Sequence, residues 1–232
     1  MFPSQLYNGV GQITLPSSSR NWWGDAIAAY RAIGAASYAA SKVNLANPGV
    51  HDLTTPFGLV PTWDAVNGWR FPDRISALDT GLIPVVGIWS AVVRLSGLPY
   101  TPVTSDLSAA FGCTGYFMIS LSNYLSSDGA RYYVKTPKVK SGPYYNGVYA
   151  LAGQRAYRDG VDEGLSWSET PQSFGAPIVI GAYSEILKDP SSGRLYISPY
   201  GPARFNVLAI AFFDRTLSAN EVARISAAMA AL

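Results

Sequence analysis

Residues 204–213 read Arg-Phe-Asn-Val-Leu-Ala-Ile-Ala-Phe-Phe, and no other stretch constrains the fold as tightly. Flanked by Gly201-Pro202 and Asp214-Arg215, this short apolar run suits a strand buried on both faces. The period then changes from sheet to helix. Ser218 and Glu221 have the spacing of a capping box, in which the serine hydroxyl accepts the Glu221 amide and the Glu221 carboxylate reaches back to the Ser218 amide. Leu217 and Val222 can close a hydrophobic staple across the cap. Val222, Ile225, Met229 and Leu232 fall on one side of the predicted helix, separated by small alanines. A core strand thus turns sharply into a short helix that packs back on the body.

Composition narrows the function classes. A chain of 232 residues makes one large β domain or two small ones and buries a core without disulfides or metals. Its 17 Lys plus Arg against 15 Asp plus Glu give a net charge of +2, too small an excess for a dedicated nucleic-acid binder. Charged residues are 14% and aromatics 13%, so some aromatic surface is expected to be covered by partners or used for binding. No apolar run approaches the roughly 20 residues that cross a bilayer. The start, Met-Phe-Pro-Ser-Gln-Leu-Tyr-Asn-Gly, lacks the basic and apolar parts of a signal peptide. Cys113 has no second cysteine to pair with. Synthesis in the cytosol is expected, with release by a route such as lysis.

Residues 1–24 carry Gly9, Gly11, Pro16 and Ser17-Ser18-Ser19 and few core-grade residues. They read as an extended arm that docks on a neighbouring subunit, against the commoner case of a loose terminus. The body, 25–232, opens with a strand over 26–31 and a short helix over 35–42. Asn67-Gly68 marks a tight turn between strand-forming residues, and Asp159-Gly160 the tip of a hairpin over 154–164. Further strands are expected over 90–95, 116–121, 131–139, 148–152, 177–181 and 194–197. Many short strands, close-set turns and one terminal helix define an all-β sandwich.

Several motifs carry a family resemblance in order: Gly68-Trp69-Arg70-Phe71 leading to Leu78-Asp79-Thr80-Gly81, then Tyr157 to Gly164, Ile180-Gly181-Ala182, and Ala209 to Val222. Over residues 26–232 the chain resembles the concanavalin A-like lectin/glucanase superfamily, and within it the laminin-G-like pattern. The resemblance implies a jelly-roll sandwich of two antiparallel sheets with a short C-terminal helix. The stretch from 28 to 49 is also similar to laminin-G-like proteins of tailed bacteriophages.

Candidate chemistry is sparse. Retaining glucanases of this superfamily carry Glu-x-Asp-x-Glu on one strand face, and hydrolysis needs a pair of carboxyl groups. None of Glu163, Glu169, Glu185 and Glu221 has an aspartate two residues on. His51 is the single histidine and lies in a loop, so a triad with Cys113, read as part of a turn over 111–115, is not expected. Asp159, Asp162 and Glu163 cluster near one hairpin and offer calcium its oxygen ligands, although turn geometry alone accounts for Asp159-Gly160. Arg131, Lys135, Lys138 and Lys140 with Tyr132 and Tyr133 read as a guarded sheet edge rather than a nucleic-acid patch. Sugars stack on exposed aromatics, which singles out Trp167, Tyr144, Tyr145 and Tyr200, each of which serves equally well as core or subunit contact.

The resulting expectation is a non-enzymatic bacteriophage virion protein, decorating the capsid or forming part of a tail or fibre. It is expected to form a homo-oligomer, to bind other virion subunits through its arm, and to meet host or environmental glycans on its exposed sandwich. A free-standing carbohydrate-binding module in adhesion is the alternative, and a glycan hydrolase the third reading.

Overall fold

The computed structural model describes residues 21–55, 60–72, 76–97, 108–113, 116–122, 129–141, 146–188, 195–200 and 205–232, with side chains excepted at 122, 129, 141, 183–188 and 195–200. The first of two large sheets holds β1 (Ala28–Arg31), β2 (Thr62–Asp64), β3 (Gly68–Arg70), β6 (Ser90–Ser96), β11 (Gly147–Ala152), β12 (Arg155–Arg158), β13 (Val161–Ser166) and β18 (Asn206–Phe213). The second holds β4 (Leu78–Asp79), β7 (Ser108–Cys113), β8 (Phe117–Ser122), β9 (Gly129–Val134), β10 (Thr136–Ser141), β15 (Val179–Ile180), β16 (Tyr183–Lys188) and β17 (Leu195–Tyr200). A small ribbon pairs β5 (Val85–Val86) with β14 (Gln172–Ser173), and the helices are α1 (Tyr38–Ser41) and α2 (Ala219–Ala230). The protein is an all-β sandwich of antiparallel sheets with a short C-terminal helix.

β18 is the strand around which the first sheet is built. It runs antiparallel to β6 along one edge, while β3 and β1 share the other, β3 at its start and β1 at its end. Its alternate side chains serve two cores. Val207, Ile210 and Phe212 point between the sheets, where they meet Phe111, Phe117, Ile119 and Tyr132 of the second sheet. Ala209, Ala211 and Phe213 point outward into a second core that Trp22, Leu217 and the α2 residues Val222, Ile225 and Met229 complete, with the helix lying over β11 and β6. The apolar run is thereby buried on both faces, as its sequence requires.

α2 starts as its sequence dictates. Ser218 Oγ accepts the Glu221 amide at 3.3 Å, and a Glu221 carboxylate oxygen accepts the Ser218 amide at 2.7 Å. Arg215 donates to the other Glu221 oxygen at 2.7 Å and to Asp25 at 2.7 Å. The Arg215 hydrogen bond, then those from Ser218, hold the Glu221 carboxyl down at about 2, against an ordinary 4.5. A depressed folded-state value stabilises above the ordinary one and is lost as pH falls through the lowered one. Glu221→Gln is therefore expected to be less stable than the parent near neutral pH, with the gap closing between about pH 4.5 and 2. Urea melts across that range measure it.

The structure corrects the sequence reading at several places. Residues 131–139 are not one strand: the chain reverses at Lys135, whose φ is 62°, so that β9 and β10 lie antiparallel. β10 ends its sheet, but Lys138 and Lys140 do not simply guard that edge: they donate to the Ser166 and Glu163 carbonyls of β13 in the first sheet. Phe111–Cys113 is not a turn but the buried end of β7, where the Cys113 thiol contacts the Ala176 carbonyl at 3.1 Å. The helix expected over 35–42 is a single turn capped by Ser37. Trp22, assigned to the arm, is buried against α2 and belongs to the body; residues 1–20 lie outside the described residues.

Candidate functional site

The β2–β3 hairpin builds a polar recess on the first sheet. Thr62 pairs with Arg70 and Asp64 with Gly68, so a loop of three residues, Ala65–Asn67, joins the strands. Asp64 fixes that loop: its Oδ1 accepts the amides of Val66 at 2.8 Å and Asn67 at 2.6 Å, and the Asn67 side-chain amide bridges both carboxylate oxygens at 3.2 and 3.1 Å. These hydrogen bonds, the Asn67 amide first, hold the Asp64 carboxyl below the usual carboxylate range. Gly68 takes φ +72°, and a Cβ there would sit 2.5 Å from the Val207 carbonyl oxygen. Glycine lets β3 pass this close to β18.

Because side chains alternate along a strand, Thr62, Asp64 and Arg70 share the outer face while Trp69 points into the core. The pairing Arg70↔Asn206 brings Asn206 into the same row. These residues and the half-buried Trp63 enclose a hollow of about 330 Å³. Trp63 is anchored by its indole N–H, which donates to the Ala32 carbonyl at 2.8 Å. Trp63, paired with Trp69, turns its ring to the core, so the hollow itself offers an amide, a hydroxyl, one engaged carboxylate and the exposed guanidinium of Arg70.

The aromatic and acidic residues singled out from the sequence sit elsewhere. Trp167 is not an exposed platform. It belongs to the core between the sheets, donates its indole N–H to the Thr136 carbonyl at 2.8 Å, and has the Lys138 ammonium 5.5 Å over its ring. Tyr144 and Tyr145 lie outside the described residues, and so does the side chain of Tyr200, whose backbone ends β17.

Asp159, Asp162 and Glu163 do not converge as a calcium site, and no group of three or more metal-ligating side chains occurs among the described residues. Neighbours along a strand point to opposite faces, which separates Asp162 from Glu163. Asp159 Oδ1 accepts the Val148 amide at 2.8 Å, and Asp162 pairs with Arg155 at 2.8 Å. Glu163 turns inward to Arg158 at 3.0 Å, with its side chain 7% exposed. That carboxylate and, above all, burial push the nearby Tyr132 phenol well above its ordinary value.

No helix among the described residues is long and apolar enough to cross a membrane. No family model matches the chain, and no curated protein matches it in sequence. Solved structures do match. A Trypanosoma rangeli sialidase in complex with 2,3-difluorosialic acid superposes with a TM-score of 0.53 at 14% identity, over 87% of this chain and 33% of that one. The receptor-binding domain of botulinum neurotoxin type G gives 0.52 at 11% identity, over 88% of this chain and 51% of that one. Domain 4 of an extracellular arabinanase from Geobacillus stearothermophilus, in complex with arabinotriose, gives 0.45 at 12% identity, over 87% and 98%. At such identities the first two likenesses show the fold: a β-sandwich that occurs within a sialidase chain and within a receptor-binding domain. This chain spans a third to a half of those two proteins.

Proposed function

We propose that this chain is a non-catalytic attachment module, a laminin-G-like sandwich of the concanavalin A-like type that binds glycans in the recess beside β2 and β3. The observation that carries this reading is the recess itself. Hydrogen-bonding side chains from three strands around a volume of about 330 Å³ suit the hydroxyls of a sugar ring. Among the described residues the recess is lined by a single carboxylate, Asp64, which is tied into its own loop with its pKa lowered. Glycoside hydrolysis takes a facing pair, one of them protonated, so the chemistry here favours holding a sugar over cleaving it. A sandwich of this shape also serves in a receptor-binding domain and in a chain that holds a sialic acid derivative.

In this reading the module is carried on a tailed-bacteriophage particle, as a capsid-decoration, tail or fibre component, and assembles as a homo-oligomer through the arm, residues 1–20. Support for that carriage comes from the sequence: the likeness of residues 28–49 to phage proteins, the composition of the arm and the low charge density.

A glycan array is expected to give hits that vanish in Thr62→Tyr, where a large ring at an exposed edge-strand position fills the hollow while the fold is kept. An array without hits, or hits indifferent to Thr62→Tyr, overturns the glycan reading. Co-sedimentation of the intact chain with phage particles, lost on removing residues 1–20, tests the carriage separately.

A further inference from the structure

The outer face of the first sheet continues past the recess. Thr62, Arg70, Asn206 and Ser96 form one cross-strand row, and the Asn206 amide donates to the Ser96 hydroxyl at 3.4 Å. On the far side of that contact lies a second hollow of about 340 Å³, which Ser96 also lines together with Arg94, Asn146 and Asp159. The two hollows are therefore neighbours along one face, separated by a ridge of two small polar side chains. Strand spacing and rise put the Arg70 and Arg94 Cα atoms roughly 12 Å apart.

What remains unsatisfied in these hollows has one sign. The acceptors are partly engaged: Asp64 takes four hydrogen bonds from its own loop, and Asp159 takes one, from the Val148 amide, and forms no ion pair with Arg94. The donors are not. Arg70 is exposed and pairs with no carboxylate among the described residues. Arg94 is half-buried, and its Nη1 is shielded from solvent with no hydrogen-bond partner. Burial weighs against the charge on Arg94, and a bound anion relieves that cost. A guanidinium offers only donors, in a planar fork that matches a carboxylate.

Resting on the glycan reading above, we propose that the paired hollows take a carboxylate-bearing oligosaccharide, one acidic unit held by Arg70 and a second by Arg94. Neutral sugars would leave both guanidinium groups without a counter-charge, so the face selects for acidic chains.

The probes are trigalacturonate and its methyl ester, which keep one shape and differ in charge, titrated calorimetrically against the whole chain. Trigalacturonate is expected to bind at least about 10-fold more tightly than the ester, with an affinity that falls as salt is raised. Arg70→Ala is expected to weaken the acid by about 10- to 100-fold and the ester, which offers the guanidinium only uncharged acceptors, by a clearly smaller factor. Arg70→Lys keeps the charge without the fork and is expected to fall between the two. Arg94→Gln, which removes a half-buried charge while keeping polarity, is expected to weaken the acid by a larger factor than the ester. Equal binding of acid and ester, or an acid affinity indifferent to both Arg70→Ala and Arg94→Gln, overturns the acidic selection while the glycan reading stands. Binding of neither probe also overturns it, and the array with Thr62→Tyr then decides the glycan reading independently.

Discussion

Alanine at Gly181 is expected to lower the melting temperature by about 4–20 °C, the equivalent of roughly 2–5 kcal/mol in a domain of this size. Two costs add. Gly181 has φ +85°, a left-handed conformation that costs an L-residue about 1–2 kcal/mol. A Cβ there would also overlap the ring of Phe71, which is buried at 1% exposure and has no room to retreat. Forcing extra volume into a packed core costs about 1–3 kcal/mol more. The position is where the two sheets are joined: Phe71 follows β3 in one, Gly181 follows β15 in the other, and the Gly181 amide donates to the Ala110 carbonyl of β7 at 2.8 Å. Phe71→Leu opens the space and is expected to absorb part of the damage, so that the double variant is less destabilised than the two single losses added. Thermal melts of the four proteins measure this coupling. A Gly181→Ala protein that melts with the parent would mean that the sheets do not meet at this contact.

Gly181 also explains why part of the fold is legible in the sequence. An Ile-Gly-Ala stretch stands out because a large ring from another sheet needs the space a side chain would take. The capped helix is legible for a different reason. Every partner in its start, from Asp25-bound Arg215 to Glu221, lies within seven residues except Asp25 itself. Asp159-Gly160 is legible because two successive positive φ values, 50° and 80°, match the two-residue hairpin that this dipeptide favours.

Where geometry depends on distant residues, the sequence is silent. Only Pro137, which interrupts a single strand over 131–139, hints locally at the reversal at Lys135. Its left-handed backbone is held by Tyr116, whose carbonyl accepts the Lys135 amide at 2.8 Å, and by Glu169 at 3.8 Å. Exposure is equally hard to read. Trp167 follows a surface hairpin but is claimed by Thr136 and Lys138 of the opposite sheet, which no local pattern foretells. The calcium reading was open to correction from sequence alone, since Asp162 and Glu163 are adjacent in a strand and cannot share a face. For the recess, half of the signal is local: Thr62, Asp64 and Arg70 alternate with Trp63 and Trp69, marking one polar and one apolar face of a hairpin. Asn206 and Arg94 join them only through the register of β18 with β3 and β6.

Trp69 sits directly beneath that polar face, and Trp69→Ala is expected to cost about 3–5 kcal/mol. The indole is fully buried between the sheets, and its N–H donates to the Ser41 hydroxyl at 2.9 Å, which in turn donates to the Tyr38 carbonyl at 2.7 Å. Truncation leaves a cavity the size of most of an indole and removes the hydrogen bond that ties α1 to β3. The corresponding fall in melting temperature is about 6–20 °C. Trp69→Phe keeps most of the apolar volume, loses the hydrogen bond and part of the packing, and is expected to cost roughly 1–2 kcal/mol. Its value lies in separating stability from binding. Thr62, Arg70 and Asn206 project from the opposite side of the sheet, so Trp69→Phe is expected to melt earlier yet bind glycan with the parent's affinity at a temperature where both are folded. Thr62→Tyr is expected to do the reverse, losing the ligand at unchanged melting temperature. Paired melts and titrations on these two variants distinguish a ligand held on the outer face from one held between the sheets, because a ligand between the sheets would feel Trp69→Phe first.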